Sequence, residues 1–144
     1  MSGNGEALAA AAAQLIGTPF RLHGRDPVTG LDCVGLIEAA MQGAGYALET
    51  PLSYRLRNAS IAPLLNALGE APARRTDEPR IPDRTGDIVL CALGSGQHHL
   101  LIIEHSGLRP SSQVSFIHAH AGLRRVVRTP GTPPWPALAR WRFD

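Results

Sequence analysis

The pattern of apolar residues changes at Gly86, and this change constrains the fold more than any other feature of the sequence. Before Gly86 apolar residues recur at helical spacing, whereas after it they form short runs separated by Gly, Ser and Pro. The runs predict strands at residues 87–93, 99–104, 114–119, 124–129 and 139–143. Helices followed by consecutive strands are typical of an α+β domain, so the sequence predicts helices packed on an antiparallel sheet of about five strands.

The first half of the chain predicts helices and a loop. Residues 6–16 are rich in alanine, and Pro19 shortly after them cannot continue a helix. A second helix is expected after Cys33, and a third over residues 60–68, where Ile and Leu recur at helical spacing. Residues 71–85 are rich in Pro and Arg and predict a surface loop. A chain of 144 residues is expected to form a single domain.

Cys33 lies where the loop of residues 20–31 passes into a helical pattern that ends near Gly43. Unpaired N–H groups and the positive end of the helix dipole at such a position favour a thiolate over a thiol, and the thiolate is the nucleophilic form. The alternative is that Cys33 is a small buried apolar residue, as free cysteines usually are. Cys91 lies in an apolar run that predicts a strand buried on both faces, which indicates a core residue.

Four histidines fall at the ends of predicted strands: His98, His99, His118 and His120. A cysteine nucleophile needs a base that takes the thiol proton, and the base needs a third group that orients its ring. His98 and His99 point to opposite faces of a strand, so only one of them is expected to face the Cys33 helix. His118 and His120 share a face, and spacing leaves the choice between them open.

Composition and charge argue against several classes of protein. The net charge of +2 is small and evenly spread, which gives no support for nucleic-acid binding. Residues 7–16 are mostly Ala, are interrupted by Gln14 and follow no basic segment, so they predict neither a secretory signal nor a membrane span. The protein is therefore expected to be made in the cytoplasm without a signal peptide.

Five segments of the chain together carry a resemblance to a known family. They are GTPFR at residues 17–21, DCVGL at 32–36, GDIV at 86–89, HLLII at 99–103 and FIHA at 116–119. In this order they resemble the successive sequence blocks of the NlpC-type cell-wall peptidases. The resemblance is greatest to the compact members encoded in phage tail and gene-transfer-agent clusters.

The resemblance implies a papain-like α+β fold with the nucleophilic cysteine at the start of a helix. By position it makes Cys33 the nucleophile, His99 the general base and His118 the residue that orients the base. The implied reaction is hydrolysis of an amide in the peptidoglycan stem peptide, often the bond between D-glutamate and a diamino acid, without a cofactor. The implied setting is the cell wall, reached as part of a phage-like particle, with phage-like tail proteins as further partners.

Three features depart from the family pattern. Phe20 stands where the family usually has Tyr, so a hydroxyl near the substrate or oxyanion is missing. Val34 replaces the commoner Ser after the nucleophile, which removes a polar contact to substrate. The connection at residues 104–115 is longer than the family's usual short turn, and it is either a border of the cleft or a surface insertion.

Two other functions remain open at this point. Phe20 and Val34 favour a module that binds peptidoglycan or a neighbouring tail protein without cutting. Alternatively, His118 and His120, with His98 or His99 and a Cys or Asp, are a candidate ligand set for a catalytic zinc. The sequence has neither His-Glu-x-x-His nor Cys-x-x-Cys, so the thiol mechanism is favoured over the metal.

Other notable side chains have simpler expected roles. Asp32 is expected to set the turn before the Cys33 helix and to cap that helix. His23 and His105 are expected at the surface. Trp135 and Trp141 are expected either to pack in the core or at the sheet edge, or to form a platform for substrate.

Overall fold

The computed structural model describes residues 4–46, 73–78, 81–94, 97–106 and 113–143. Within these residues there are two helices, α1 (Asn4–Ala13) and α2 (Cys33–Gly43). The strands, in chain order, are β1 (Arg25–Asp26), β2 (Gly30–Leu31), β3 (Arg74–Thr76), β4 (Ile88–Ala92), β5 (His98–His105), β6 (Ser115–His120), β7 (Arg125–Pro130) and β8 (Ala137–Arg142). The helix predicted over residues 60–68 lies outside the described residues.

The main sheet has six strands in the order β3-β8-β4-β5-β6-β7, and every neighbouring pair is antiparallel. The five strands from β4 to β8 match the predicted strands to within two residues at each end, so the predicted α+β class is confirmed. β3 lies in residues 71–85, which were predicted to be a loop, and that prediction is wrong for Arg74–Thr76. Arg74 and Arg75 are exposed, so β3 has no apolar alternation, and only its backbone pairing with β8 makes it a strand.

Apolar side chains are buried on both faces of the sheet. On one face, Leu100, Ile102 and Ile117 pack with residues of the two helices, including Leu8 and Ile37. The opposite face carries a second cluster, formed by Val89, Cys91, Leu101, Ile103 and Phe116. Cys91 is therefore a core residue on a strand buried from both sides, as predicted.

The segment between the helices is held tightly against the first turn of α2. β1 and β2 form a short antiparallel hairpin within the predicted loop of residues 20–31. A Cβ atom at Gly35 would lie 2.0 Å from the carbonyl oxygen of Gly24, so only glycine permits this approach. Phe20 forms a bridge with Leu31, directly before the start of α2. These contacts place Phe20 near the N-terminus of the helix.

In the part of the chain that the structure describes, no helix is long and apolar enough to cross a membrane.

Candidate active site

Asp32 fixes the point at which α2 begins. Its backbone is extended, with φ of −97° and ψ of −169°, and its carboxylate accepts the N–H of Gly35 at 2.8 Å. The second carboxylate oxygen accepts the N–H of His23 at 2.8 Å, and Arg25 forms an ion pair with Asp32 at 3.3 Å. Asp32 is therefore the N-cap, as predicted, and Cys33 is the first residue of the helix.

The predicted site residues come together in one cavity of about 650 Å³. Cys33, His99 and His118 all line it, with Phe20 and Trp135 also in its wall. Cys33 comes from the start of α2, His99 from the start of β5 and His118 from near the end of β6. The start of α2, the start of β5 and the end of β6 therefore meet at the cavity, which brings together residues that are distant in sequence.

The sheet register places His99 on the face that points away from the helices. In the pairing of β4 with β5, His99 lies opposite Cys91 and Leu101 lies opposite Val89. Cys91, Leu101 and Val89 all belong to the second core cluster, so His99 points to the same face as they do. His98 points to the opposite face but also lines the cavity, so strand parity alone does not decide which of the two histidines serves Cys33. The backbone of Leu100 acts on the pKa of the Cys33 thiol, so the sulfur lies close to the start of β5, the part of the strand that carries His99.

A chain of side-chain hydrogen bonds runs from His99 to β7. His99 Nε2 lies 2.9 Å from His118 Nδ1, and His118 Nε2 lies 2.9 Å from the Thr129 hydroxyl. Trp135 packs edge-on against the His99 ring, with centroids 5.6 Å apart, so this tryptophan is part of the cleft wall. With Nε2 of His99 committed to His118, Nδ1 is the nitrogen available to take a proton.

His120 is engaged in a different interaction. Its Nδ1 accepts the N–H of Leu123 at 3.0 Å, which closes the turn between β6 and β7. The His120 ring packs edge-on against the His118 ring, with centroids 5.5 Å apart, and it is His118, not His120, that hydrogen-bonds His99. Between the two histidines that the sequence left open, the geometry therefore favours His118 as the partner of His99.

Burial controls the protonation of the site. It raises the pKa of the Cys33 thiol to about 12, and the negative charge of Asp32 adds to this increase. Backbone hydrogen bonds at Leu100, Val34 and Cys33 itself lower the pKa, which is the direction predicted for a helix start, but they are outweighed. The prediction of a thiolate near neutral pH is therefore wrong, because desolvation outweighs the local helix effects at Cys33.

The two site histidines are also neutral at physiological pH. Burial, and then the nearby His120, lowers the pKa of His99 to about 4. Burial, followed by the neighbouring His99 and His120, lowers the pKa of His118 to about 4 as well. The cleft thus holds a thiol beside two neutral imidazoles, so proton transfer from sulfur to nitrogen has to accompany the attack on a substrate.

The departures from the family pattern occupy different environments. Phe20 lines the cavity, so the hydroxyl that a Tyr would carry at this position is absent from the cleft wall. Val34 is fully buried in the helix-side core and is not part of the cavity wall, so the expected loss of a substrate contact there is wrong.

His23 is exposed and His105 half-exposed, as expected, and Trp141 is buried in the core.

The zinc alternative finds little support in the geometry. Zinc bound between two imidazoles keeps each nitrogen about 2.0–2.1 Å from the metal. The facing nitrogens of His99 and His118 are only 2.9 Å apart and are hydrogen-bonded to each other. Among the residues that the structure describes, no group of three or more His, Cys, Asp or Glu side chains could hold a metal ion.

Comparison with solved structures shows which fold this arrangement belongs to. The NlpC/p60 domain of the peptidoglycan hydrolase SagA matches with a TM-score of 0.54 and 23% sequence identity, over 88% of this chain and 88% of that one. The chain has the NlpC/p60 fold. No protein-family profile matches the sequence, and no curated protein shows significant similarity to it.

Other proteins with the NlpC/p60 fold extend the comparison. NlpC2 from Trichomonas vaginalis has a TM-score of 0.68 at 17% identity, and the match covers 99% of this chain but 48% of that one. This chain therefore spans about half the length of NlpC2. The peptidoglycan hydrolase RipB from Mycobacterium tuberculosis has a TM-score of 0.58 at 19% identity, over 98% of this chain and 65% of that one. The papain-like fold implied by the resemblance of the sequence blocks is thus confirmed.

Proposed function

We propose that this protein is a cysteine peptidase that hydrolyses an amide bond of the peptidoglycan stem peptide. The observation that carries the proposal is the meeting of Cys33, His99 and His118 in one cavity, with His99 held by His118 at 2.9 Å. Two proteins that share its fold, SagA and RipB, are named as peptidoglycan hydrolases, which supports the choice of substrate.

In the proposed mechanism, the Cys33 thiol gives its proton to Nδ1 of His99 as sulfur attacks the carbonyl carbon. The N–H groups of Cys33 and Val34 lie in the first turn of α2, where helix N–H groups have no partner within the helix, and they stabilise the developing oxyanion. The C–N bond then breaks, and the His99 imidazolium returns its proton to the departing amine. Water, deprotonated by His99, hydrolyses the thioester and restores the thiol.

The bond we propose is the one between D-glutamate and the diamino acid, and the setting is the cell wall, reached in a phage-like particle. Both rest on the resemblance of the sequence blocks to compact phage peptidases. The protein should then be found in purified particles from producing cells. Its absence from those particles would contradict the setting without affecting the chemistry.

The experiment that tests the activity is digestion of purified stem peptides with the products read by mass spectrometry. A thiol peptidase should release a fragment whose mass identifies the bond, should survive a chelator, and should be inactivated by a thiol alkylator. Loss of activity with chelator and not with alkylator would establish the zinc alternative instead.

A peptidoglycan-binding module is the second candidate, and the presence of Phe20 in the cavity wall favours it. Without a hydroxyl at this position the cleft has one hydrogen-bond donor fewer for an oxyanion. Binding of the stem peptide measured by calorimetry, without any cleavage product after prolonged incubation, would establish this candidate.

A further inference from the structure

Thr129 contacts the site from a strand that the sequence did not implicate. It lies on β7, the edge strand of the sheet, opposite Phe116 on β6, while His118 pairs with Val127. Directly paired residues share a face, so Thr129 and His118 are diagonal neighbours on one face of the two strands. The Thr129 hydroxyl lies 2.9 Å from His118 Nε2.

The positions of the protons along the hydrogen bonds from His99 through His118 to Thr129 matter because both imidazoles are neutral. A neutral imidazole carries one proton, on either Nδ1 or Nε2, and its other nitrogen is an acceptor. If His99 is to take a proton at Nδ1, its own proton has to be on Nε2, from which it is donated to His118 Nδ1. His118 then carries its proton on Nε2, and that proton needs an acceptor.

The opposite arrangement disables the base. If His118 carried its proton on Nδ1, it would donate to His99 Nε2, and the proton of His99 would then be on Nδ1. In that state no nitrogen of His99 could accept the Cys33 proton, although no heavy atom would have moved. Catalysis therefore depends on which nitrogen of His118 is protonated, and this depends on what lies beyond Nε2.

We propose that Thr129 is a positioning residue whose hydroxyl accepts the Nε2 proton of His118, and so keeps Nδ1 of His99 free to take the proton of Cys33. The inference rests on the proposed peptidase function and adds a fourth member to its site. Thr129 acts through His118 and does not itself line the cavity.

The test compares Thr129→Val with Thr129→Ser. Valine keeps the shape and the β-branch but has no acceptor, whereas serine retains the hydroxyl. We expect Thr129→Val to lower kcat about tenfold with little change in KM, as for loss of one hydrogen bond, and Thr129→Ser to keep most of the activity. Thr76→Val is the matched control, because Thr76 lies on β3, the opposite edge strand, and its hydroxyl accepts the N–H of Glu78.

A second readout does not depend on turnover. The ¹⁵N chemical shifts of the imidazoles report which nitrogen is protonated, and in the wild type they should show Nε2 protonated in both His99 and His118. Thr129→Val should shift His118 toward protonation at Nδ1, and Thr129→Ser should not. If the wild type cuts no stem peptide, the peptidase proposal fails, while the shifts still decide the role of Thr129. Unchanged shifts and unchanged kcat in Thr129→Val would overturn the inference.

Discussion

At the scale of single residues, the neutral state of Cys33 has a measurable consequence. Because burial raises the pKa of the Cys33 thiol to about 12, the thiolate fraction at pH 7 is very small. In a Cys91→Ala background, the rate of alkylation of Cys33 by iodoacetamide should rise about tenfold per pH unit between pH 7 and 10. A rate that levels off below pH 8 would contradict this description and would indicate a stabilised thiolate.

Asp32 has two separable effects on Cys33, since its carboxylate caps α2 and its charge raises the pKa of the thiol. Asn caps helices about as well as Asp, so Asp32→Asn should keep the cap on Gly35 while it removes the charge and weakens the contacts with His23 and Arg25. We expect this variant, in the same Cys91→Ala background, to be alkylated roughly three- to tenfold faster at pH 8. Asp32→Ala, which also loses the cap, should in addition lower the free energy of unfolding by about 1–2 kcal/mol. Equal alkylation rates in Asp32→Asn and its parent would show that the charge has no effect.

At the scale of the elements, a buried ion-pair network joins β8 to the start of β4. The Asp87 carboxylate, which is 1% exposed, accepts hydrogen bonds from Arg140 at 2.8 Å and from Arg142 at 2.7 Å. Arg140 also pairs with Asp83 at 2.8 Å. Removing the central carboxylate leaves Arg140 buried with only part of its compensating charge.

We therefore expect Asp87→Ala to lower the free energy of unfolding by about 3–5 kcal/mol in urea titrations. The matched control is Asp77→Ala, which removes the partner of Arg75 in a pair whose side chains are 44% and 62% exposed. That change should cost between about 0 and 1 kcal/mol. Similar losses in the two variants would contradict a special role for the buried network.

The elements also show what a sequence can and cannot predict. β4 was predictable because its apolar run is buried on both faces, and α2 because Asp32 and the apolar spacing mark its start. β3 was missed because Arg74 and Arg75 are exposed and carry no apolar signal. Its strand character comes from pairing with β8, more than sixty residues later in the chain, and local patterns do not contain that information.

At the scale of the whole molecule, the site depends on how separate elements meet. Cys33 was a candidate from the residues alone, because a helix start has a local signature, whereas His99 was chosen over His98 only through the resemblance of the sequence blocks. The preference for His118 over His120 depends on the contact of His118 with His99 on β5, and the contribution of Thr129 depends on the register of β6 against β7. The protonation of Cys33 depends on burial by the assembled fold, which outweighs the local helix effect. These properties arise only after folding.

The measurement that tests the central claim most directly is cleavage of a defined stem peptide by three proteins: the wild type, Cys33→Ala and Cys91→Ala. Both variants lose a buried thiol, but only Cys33 lines the cavity with His99 and His118. We predict that the wild type and Cys91→Ala release the same fragment, and that Cys33→Ala releases none while retaining its fold by circular dichroism. Cleavage by a folded Cys33→Ala at the wild-type rate would contradict the assignment of Cys33 as the nucleophile.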